Sequence, residues 1–209
     1  MKKKVVFIII AGLALRIFFS CCRTITEYYT EMDLNQLQIS NVNNASPDYN
    51  FPLPLESDSM LSSAIAFTLT LKDSMLKNDD RIYFSKLGFG SAMALTCPEY
   101  HFFRYNVTIT KIEIFTLYDI NENILKNNPV TQLFVALPSD NYLYKTIDQI
   151  YPLINKTTSI YPELKFSVFC TEDIRRDSVK FNFKITLSDE RVLSADSNTI
   201  FLTQTSAAQ

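Results

Sequence analysis

Apolar and polar residues alternate along much of the chain at the spacing of strands. The clearest stretch is Val179, Phe181, Phe183, Ile185 and Leu187, interleaved with Lys180, Asn182, Lys184 and Thr186. On an extended backbone every second side chain shares a face, so one face meets the core and the other meets water. Ile65, Phe67, Leu69 and Leu71 repeat the pattern against Ala66, Thr68 and Thr70. A third strand presents Ile112, Ile114, Thr116 and Tyr118, and Phe115 and Leu117 on its other face mark it as deeply placed. Leu164, Phe166, Val168 and Cys170 form a fourth, and Leu37, Ile39 and the residues to Val42 form one strand nearer the start. Ser188-Asp189-Glu190-Arg191 returns the chain into Val192–Ala195 as a hairpin. Without glycine there, a type I loop is expected in place of a tight primed turn. Ile200–Thr203 closes the series.

One segment departs from this period. Leu143, Ile147, Ile150 and Ile154 recur at helical spacing after Asp140, which is the expected N-cap, and Pro152 should end or kink a short helix packed on one edge. Asn41 to Pro54, rich in Asn, Ser and Pro, is a loop. Strands with a single helix predict a mainly β fold, an immunoglobulin-like β-sandwich with one short helix spanning 60–209.

The start of the chain follows a different logic. Lys2, Lys3 and Lys4 precede an unbroken apolar run, Val5 to Leu15. That run is short for a bilayer crossing and suits the apolar segment of an export signal. Arg16 interrupts the pattern before Phe18-Phe19-Ser20-Cys21-Cys22. This ending resembles the lipobox of bacterial lipoproteins, with small Ser20 before Cys21 and Phe18 a looser match for the usual leucine. The resemblance implies a lipoprotein signal peptide over 1–20 and lipidation at Cys21, with Cys22 the alternative acceptor. An ordinary N-terminal membrane anchor is the competing reading. Residues 21–59 then form the anchor and a short arm. Arg23 to Glu27 lacks an acidic run, which favours a periplasm-facing position at the outer membrane.

Composition narrows the function classes. The chain carries 20 Lys and Arg against 22 Asp and Glu. Four of the basic residues, Lys2, Lys3, Lys4 and Arg16, lie in the leader, so 16 remain against the same 22 acids. An acidic domain without a basic stripe is poorly suited to nucleic acid, whose binding depends on neutralising phosphates. Tryptophan is absent while 16 Phe and 11 Tyr are present, a bias that suits pleated sheets.

The leader ending Ser20-Cys21-Cys22, the pair Tyr28-Tyr29, the run Ile109-Thr110-Lys111-Ile112-Glu113-Ile114 and the closing stretch Phe183 to Ala195 occur together. In this combination the chain resembles an uncharacterised family of small cell-envelope lipoproteins of Bacteroides type, a domain of unknown function of about this length. The family's hairpin turn is usually Asp-Gly, where this chain has Asp189-Glu190. The resemblance implies a location and an architecture, and no reaction. Asp58-Ser59-Met60, Asp73-Ser74-Met75 and Asp177-Ser178-Val179 also look like the Asp-Ser-apolar tripeptides that such envelopes O-glycosylate.

Candidate chemistry is sparse. Cys97 and Cys170 are either a disulfide formed in an oxidising compartment or two buried thiols. Cys97 and His101 lack a third catalytic partner, and a structural zinc site would need four ligands, so no metal and no cofactor is expected. Asp119 to Asn123 begins like a calcium loop, but Ile124 stands at the turn glycine and Val130 at the closing glutamate. Gly88-Phe89-Gly90 lacks a third glycine. The acid pairs Asp79-Asp80, Glu172-Asp173 and Asp189-Glu190 are expected to be solvated. Tyr100, Phe102, Phe103 and Tyr105 crowd around His101, with Tyr142 and Tyr144 adding rings; they are core aromatics or the platform for a ligand. The expectation is a non-enzymatic lipid-anchored protein that binds or scaffolds another envelope component. Behind it stand a glycan-binding module using an exposed Tyr/Phe patch, then a hydrolase with an unrecognised carboxylate site. Its partners would be the membrane, through the anchor, and an envelope protein or glycan.

Overall fold

A computed structural model describes residues 26–44, 53–54, 58–74, 99–138, 143–155 and 158–203. The protein is mainly β, with one α-helix among the described residues. The leader, Cys21, Cys22 and Cys97 lie outside those residues, as do Gly88-Phe89-Gly90, Asp79-Asp80, Asp140 and Tyr142.

The largest sheet is built on β5 (Ile65–Lys72). It pairs antiparallel with β2 (Gln36–Asn43) on one side and β11 (Glu163–Cys170) on the other. Two-residue β3 (Leu53–Pro54) extends the β2 edge, while β8 (Phe134–Pro138) and β9 (Lys145–Thr146) extend beyond β11. Opposite lies a three-stranded antiparallel sheet in which β13 (Phe181–Leu187) is flanked by β7 (Ile109–Thr116) and β14 (Val192–Asp196).

The two sheets close on phenylalanine. Phe67 of β5 meets Phe181 and Phe183 of β13 edge-on, with ring centroids 5.6 and 5.1 Å away, and Phe134 of β8 reaches Phe181 at 5.3 Å. Edge-to-face pairs of this kind contribute about 0.5–1.5 kcal/mol each beyond their burial. The alternation expected over 179–187 holds: Val179, Phe181, Phe183, Ile185 and Leu187 are all buried, Val179 in the short strand β12 (Ser178–Val179). Around β5 the expectation was too modest. Ala66 and Thr70, on its supposed water face, are buried too. Ala66 packs with Val42 and Phe169 in a second cluster, and Thr68 shares a 3.1 Å hydroxyl contact with Ser167.

The helix α1 (Ile147–Ile154) turns Ile147, Ile150 and Ile154 into the core. It starts later than the spacing suggested. Its N-cap is Thr146, not Asp140, and Leu143 is exposed ahead of it. Pro152 lies in the last turn, where it removes one intrahelical bond and keeps the helix short. The helix also seals the outer edge of β7. Asn155 accepts from the Ile109 N–H and donates to the Ile109 carbonyl, both at 2.8 Å, in place of a neighbouring strand. Further along, the Ile112 N–H donates to the Tyr151 hydroxyl and the Ile114 N–H to Thr131 Oγ1.

The β13–β14 hairpin turns as a type I loop closed by Glu190 at φ 69°, with the Glu190 N–H donating to the Leu187 carbonyl. That left-handed position favours glycine. Cys170 sits in the core, its thiol 3.5 Å from the Glu172 carbonyl. Burial pushes that thiol up to about 11. Asn41 is a misfit: its side-chain nitrogen and oxygen are both buried without a hydrogen-bond partner.

Three outcomes follow for urea or thermal unfolding. Glu190→Gly should raise stability by about 1 kcal/mol, since a side chain at that φ costs about 1–2 kcal/mol. Asn41→Val should stabilise by roughly 1–2 kcal/mol, because it removes two unpaired polar atoms from an apolar strand position. For Cys170 in the reduced protein, the unfolded chain loses the thiol proton near pH 9 while the folded chain keeps it until about 11. The folded state then holds more protons, so stability should fall as pH rises through that window, and Cys170→Ala should lack this part of the slope.

Candidate functional site

A cluster of exposed and half-buried rings lies on a small sheet built from β1 (Thr26–Met32), β6 (Glu99–Tyr105) and β10 (Thr158–Ser159). β1 runs parallel to β6 with Tyr28 beside His101 and Tyr29 beside Phe102. This register stacks the rings in pairs. Tyr28 and His101 lie 4.9 Å apart and 13° from parallel, and Tyr29 and Phe102 lie 5.6 Å apart and 25° from parallel. The Arg104 guanidinium stands 4.8 Å from the centre of the Tyr29 ring, a cation–π contact. The Tyr29 hydroxyl donates to Glu27 at 2.8 Å, and this bond to a carboxylate raises its pKa.

Strand alternation divides the predicted aromatics. The Tyr100 side chain lies outside the described residues; Phe102 belongs to one face of β6 and Phe103 and Tyr105 to the other, so they do not make one platform. Phe102 and Phe103 are half-buried. Tyr105 turns toward the core, donates to the Tyr161 carbonyl at 3.2 Å, and has its pKa raised chiefly by burial. His101 is held as a stacking partner of Tyr28. The exposed rings of β1, Tyr28 at 44% and Tyr29 at 47%, are ones the hydrophobic pattern passed over. Adjacent tyrosines break the period of two, and a parallel partner 73 residues away leaves no local signature.

The sheet is a projection. Glu27 to Glu31 are exposed, whereas Met32 and Leu34 are fully buried, so β1 enters the core only at its end. A network fixes that entry. Arg191 donates both terminal nitrogens to Asp33, at 3.1 and 2.5 Å, and its Nε to Asp189 at 2.6 Å. The Asp33 N–H and the Asn35 amide donate to the Asp73 carboxylate.

Other candidate chemistry has structural work. Asn121 accepts from the Asn123 and Ile124 N–H groups, and Asp119 from the Lys126 N–H, so the calcium-like segment is a self-satisfied turn. Asp173 accepts from Ser62, and Asp189 is held by Arg191. Among the described residues no three His, Cys, Asp or Glu side chains are grouped to hold a metal ion. Tyr144 is exposed at one end and sets its ring 5.1 Å from Phe169. Two of the Asp-Ser-apolar tripeptides converge: Ser59 of β4 (Ser59–Leu61) and Ser178 of β12 both stand opposite exposed Phe201 of β15 (Ile200–Thr203).

No family model and no curated protein matches the chain. Among solved structures it is similar to the C-terminal domain of the Streptococcus pyogenes antigen I/II-family protein AspA, at 10% identity over 80% of this chain and 46% of that one, with a TM-score of 0.24. The C-terminal domain of the Streptococcus agalactiae AgI/II polypeptide BspA is similar at 9% identity over 80% of this chain and 49% of that one, with a TM-score of 0.23. The chain spans about half the length of these solved domains, and at such scores the likeness bears on neither topology nor activity.

Proposed function

We propose that this chain is a lipid-anchored protein of the cell envelope, acylated at Cys21 and facing the periplasm from the outer membrane. Its β domain, in our reading an immunoglobulin-like sandwich, acts without catalysis by binding or scaffolding another envelope component. The observation that carries this reading is the exposed aromatic projection formed by β1 and β6, which begins five residues after Cys21. Exposed rings placed away from the main core are characteristic of contact surfaces. The charged groups around them, Glu27 and Arg104, are engaged with Tyr29 in a way that orders the surface and gathers no acid–base pair. Glycan platforms use rings laid side by side. Here each ring turns a face to its neighbour in the stack, which favours a partner met by ring edges and phenol groups.

Metabolic labelling with palmitate, read together with membrane fractionation, tests the anchor. The wild-type chain should carry label and sediment with membranes, and Cys21→Ala should lose both. Label retained on Cys21→Ala, or recovery of the wild type from cytosol with residues 1–20 intact, would sink the proposal.

A further inference from the structure

We infer that the β1–β6 projection seats directly on the membrane that holds the anchor, with Tyr28 and Tyr29 at the level of zwitterionic phospholipid headgroups. The inference rests on the anchoring reading and names the component that the aromatic surface meets.

Tether length is the first argument. Only Cys22 to Ile25 separate Cys21 from Thr26, and at about 3.3–3.6 Å per residue the start of β1 lies within roughly 18 Å of the Cys21 backbone. Direction is the second. β1 runs from an exposed start to a buried end at Met32, so its tyrosines occupy the part nearest the tether. Chemistry is the third. Tyrosine places an apolar ring and a polar hydroxyl across the boundary between hydrocarbon and water, which is why it is enriched there. Ile160 and Tyr161, immediately after β10 on the opposite edge of the sheet, are exposed at 61% and 63% and widen the apolar margin.

Charge selects the lipid. Among its described side chains the sheet carries Glu27 and Glu31 against Arg104. An anionic surface would repel the carboxylates, whereas a phosphatidylethanolamine surface offers ammonium groups to Glu27 and Glu31 and phosphate to Arg104. Charge also disfavours a second copy at the open edge of β1. Antiparallel pairing centred on Tyr29 would set Glu27 against Glu31, and like charges directly opposite destabilise a strand pair.

The absence of tryptophan makes the test clean. Full-length acylated protein carrying Tyr28→Trp or Tyr29→Trp, or Phe201→Trp on the β15 sheet as control, is reconstituted into phosphatidylethanolamine/phosphatidylcholine vesicles doped with lipid brominated near the glycerol. Emission from the variants at 28 and 29 should fall at least about twofold while that at 201 is unchanged. The effect should weaken when phosphatidylglycerol replaces the zwitterionic lipid. Matching circular dichroism and melting temperature confirm that each variant is folded. Palmitate on Cys21 and flotation with the vesicles are read on the same samples. Label and flotation without quenching at 28 and 29 overturn the docking while leaving the anchor standing. Equal quenching at 201, stronger quenching on phosphatidylglycerol, or unquenched protein that crosslinks as a dimer through position 28 also overturns it. Loss of label and flotation together removes the anchor, and the docking with it.

Discussion

The strand β5 has neighbours on both edges and buried side chains on both faces, and the rest of the domain is arranged to satisfy it. A strand in that position pairs its backbone within the sheet and buries most of the side chains it carries, here all but Thr68 and Lys72. Phe67 meets this demand on one face by interlocking with Phe181 and Phe183, which fixes where the second sheet lies. Ala66 meets it on the other by being small, leaving room for Phe169 and Val42 to close over it. Thr68, also on that face, finds a hydroxyl partner in Ser167 and so avoids an unpaired polar group.

A sheet-built protein must also deal with the edges it leaves. The outer edge of β7 is finished at its start with side chains, the Asn155 amide imitating a strand and Tyr151 and Thr131 taking up the next backbone donors, and at its end by the backbone of residues 127–130. β1 is treated differently. It is the outermost strand of its sheet, among the described residues no further strand pairs with it, and its side chains are exposed from Glu27 to Glu31. One domain therefore contains a concealed edge and an open one, and the open one bears the aromatic pairs.

Much of the fold was legible in the sequence because period-two alternation follows directly from the strand backbone. The runs at 65–71 and 164–170 are strands in the structure with their apolar faces inward, and the run at 179–187 is one strand from Phe181 on, with Val179 in the separate β12. Three kinds of information were not available. The water face assigned to β5 is buried where Val42 and Phe169 of the flanking strands crowd over small Ala66, which no local pattern encodes. The helix start was misplaced because Leu143 continues the helical spacing while lying outside the helix. The projection has no strand signature in the sequence because β1 carries side chains exposed on both faces from Glu27 to Glu31, with no buried stripe. Tyr100, Phe102, Phe103 and Tyr105 were found as a group by composition, but only the pleat decides which of them share a face.

The Arg191 clamp has a mechanical consequence. For a chain held at its N-terminal end, tension enters through β1 along the strand axis and loads the parallel ladder to β6 in shear, so that its bonds resist together. Force that passes this ladder reaches Asp33, where the guanidinium fork ties the chain to the far hairpin and Asp73 ties it to the end of β5. The pull is thereby shared between two sheets before it can peel β2 from its neighbour, and the projection serves as a strain relief for the core behind it.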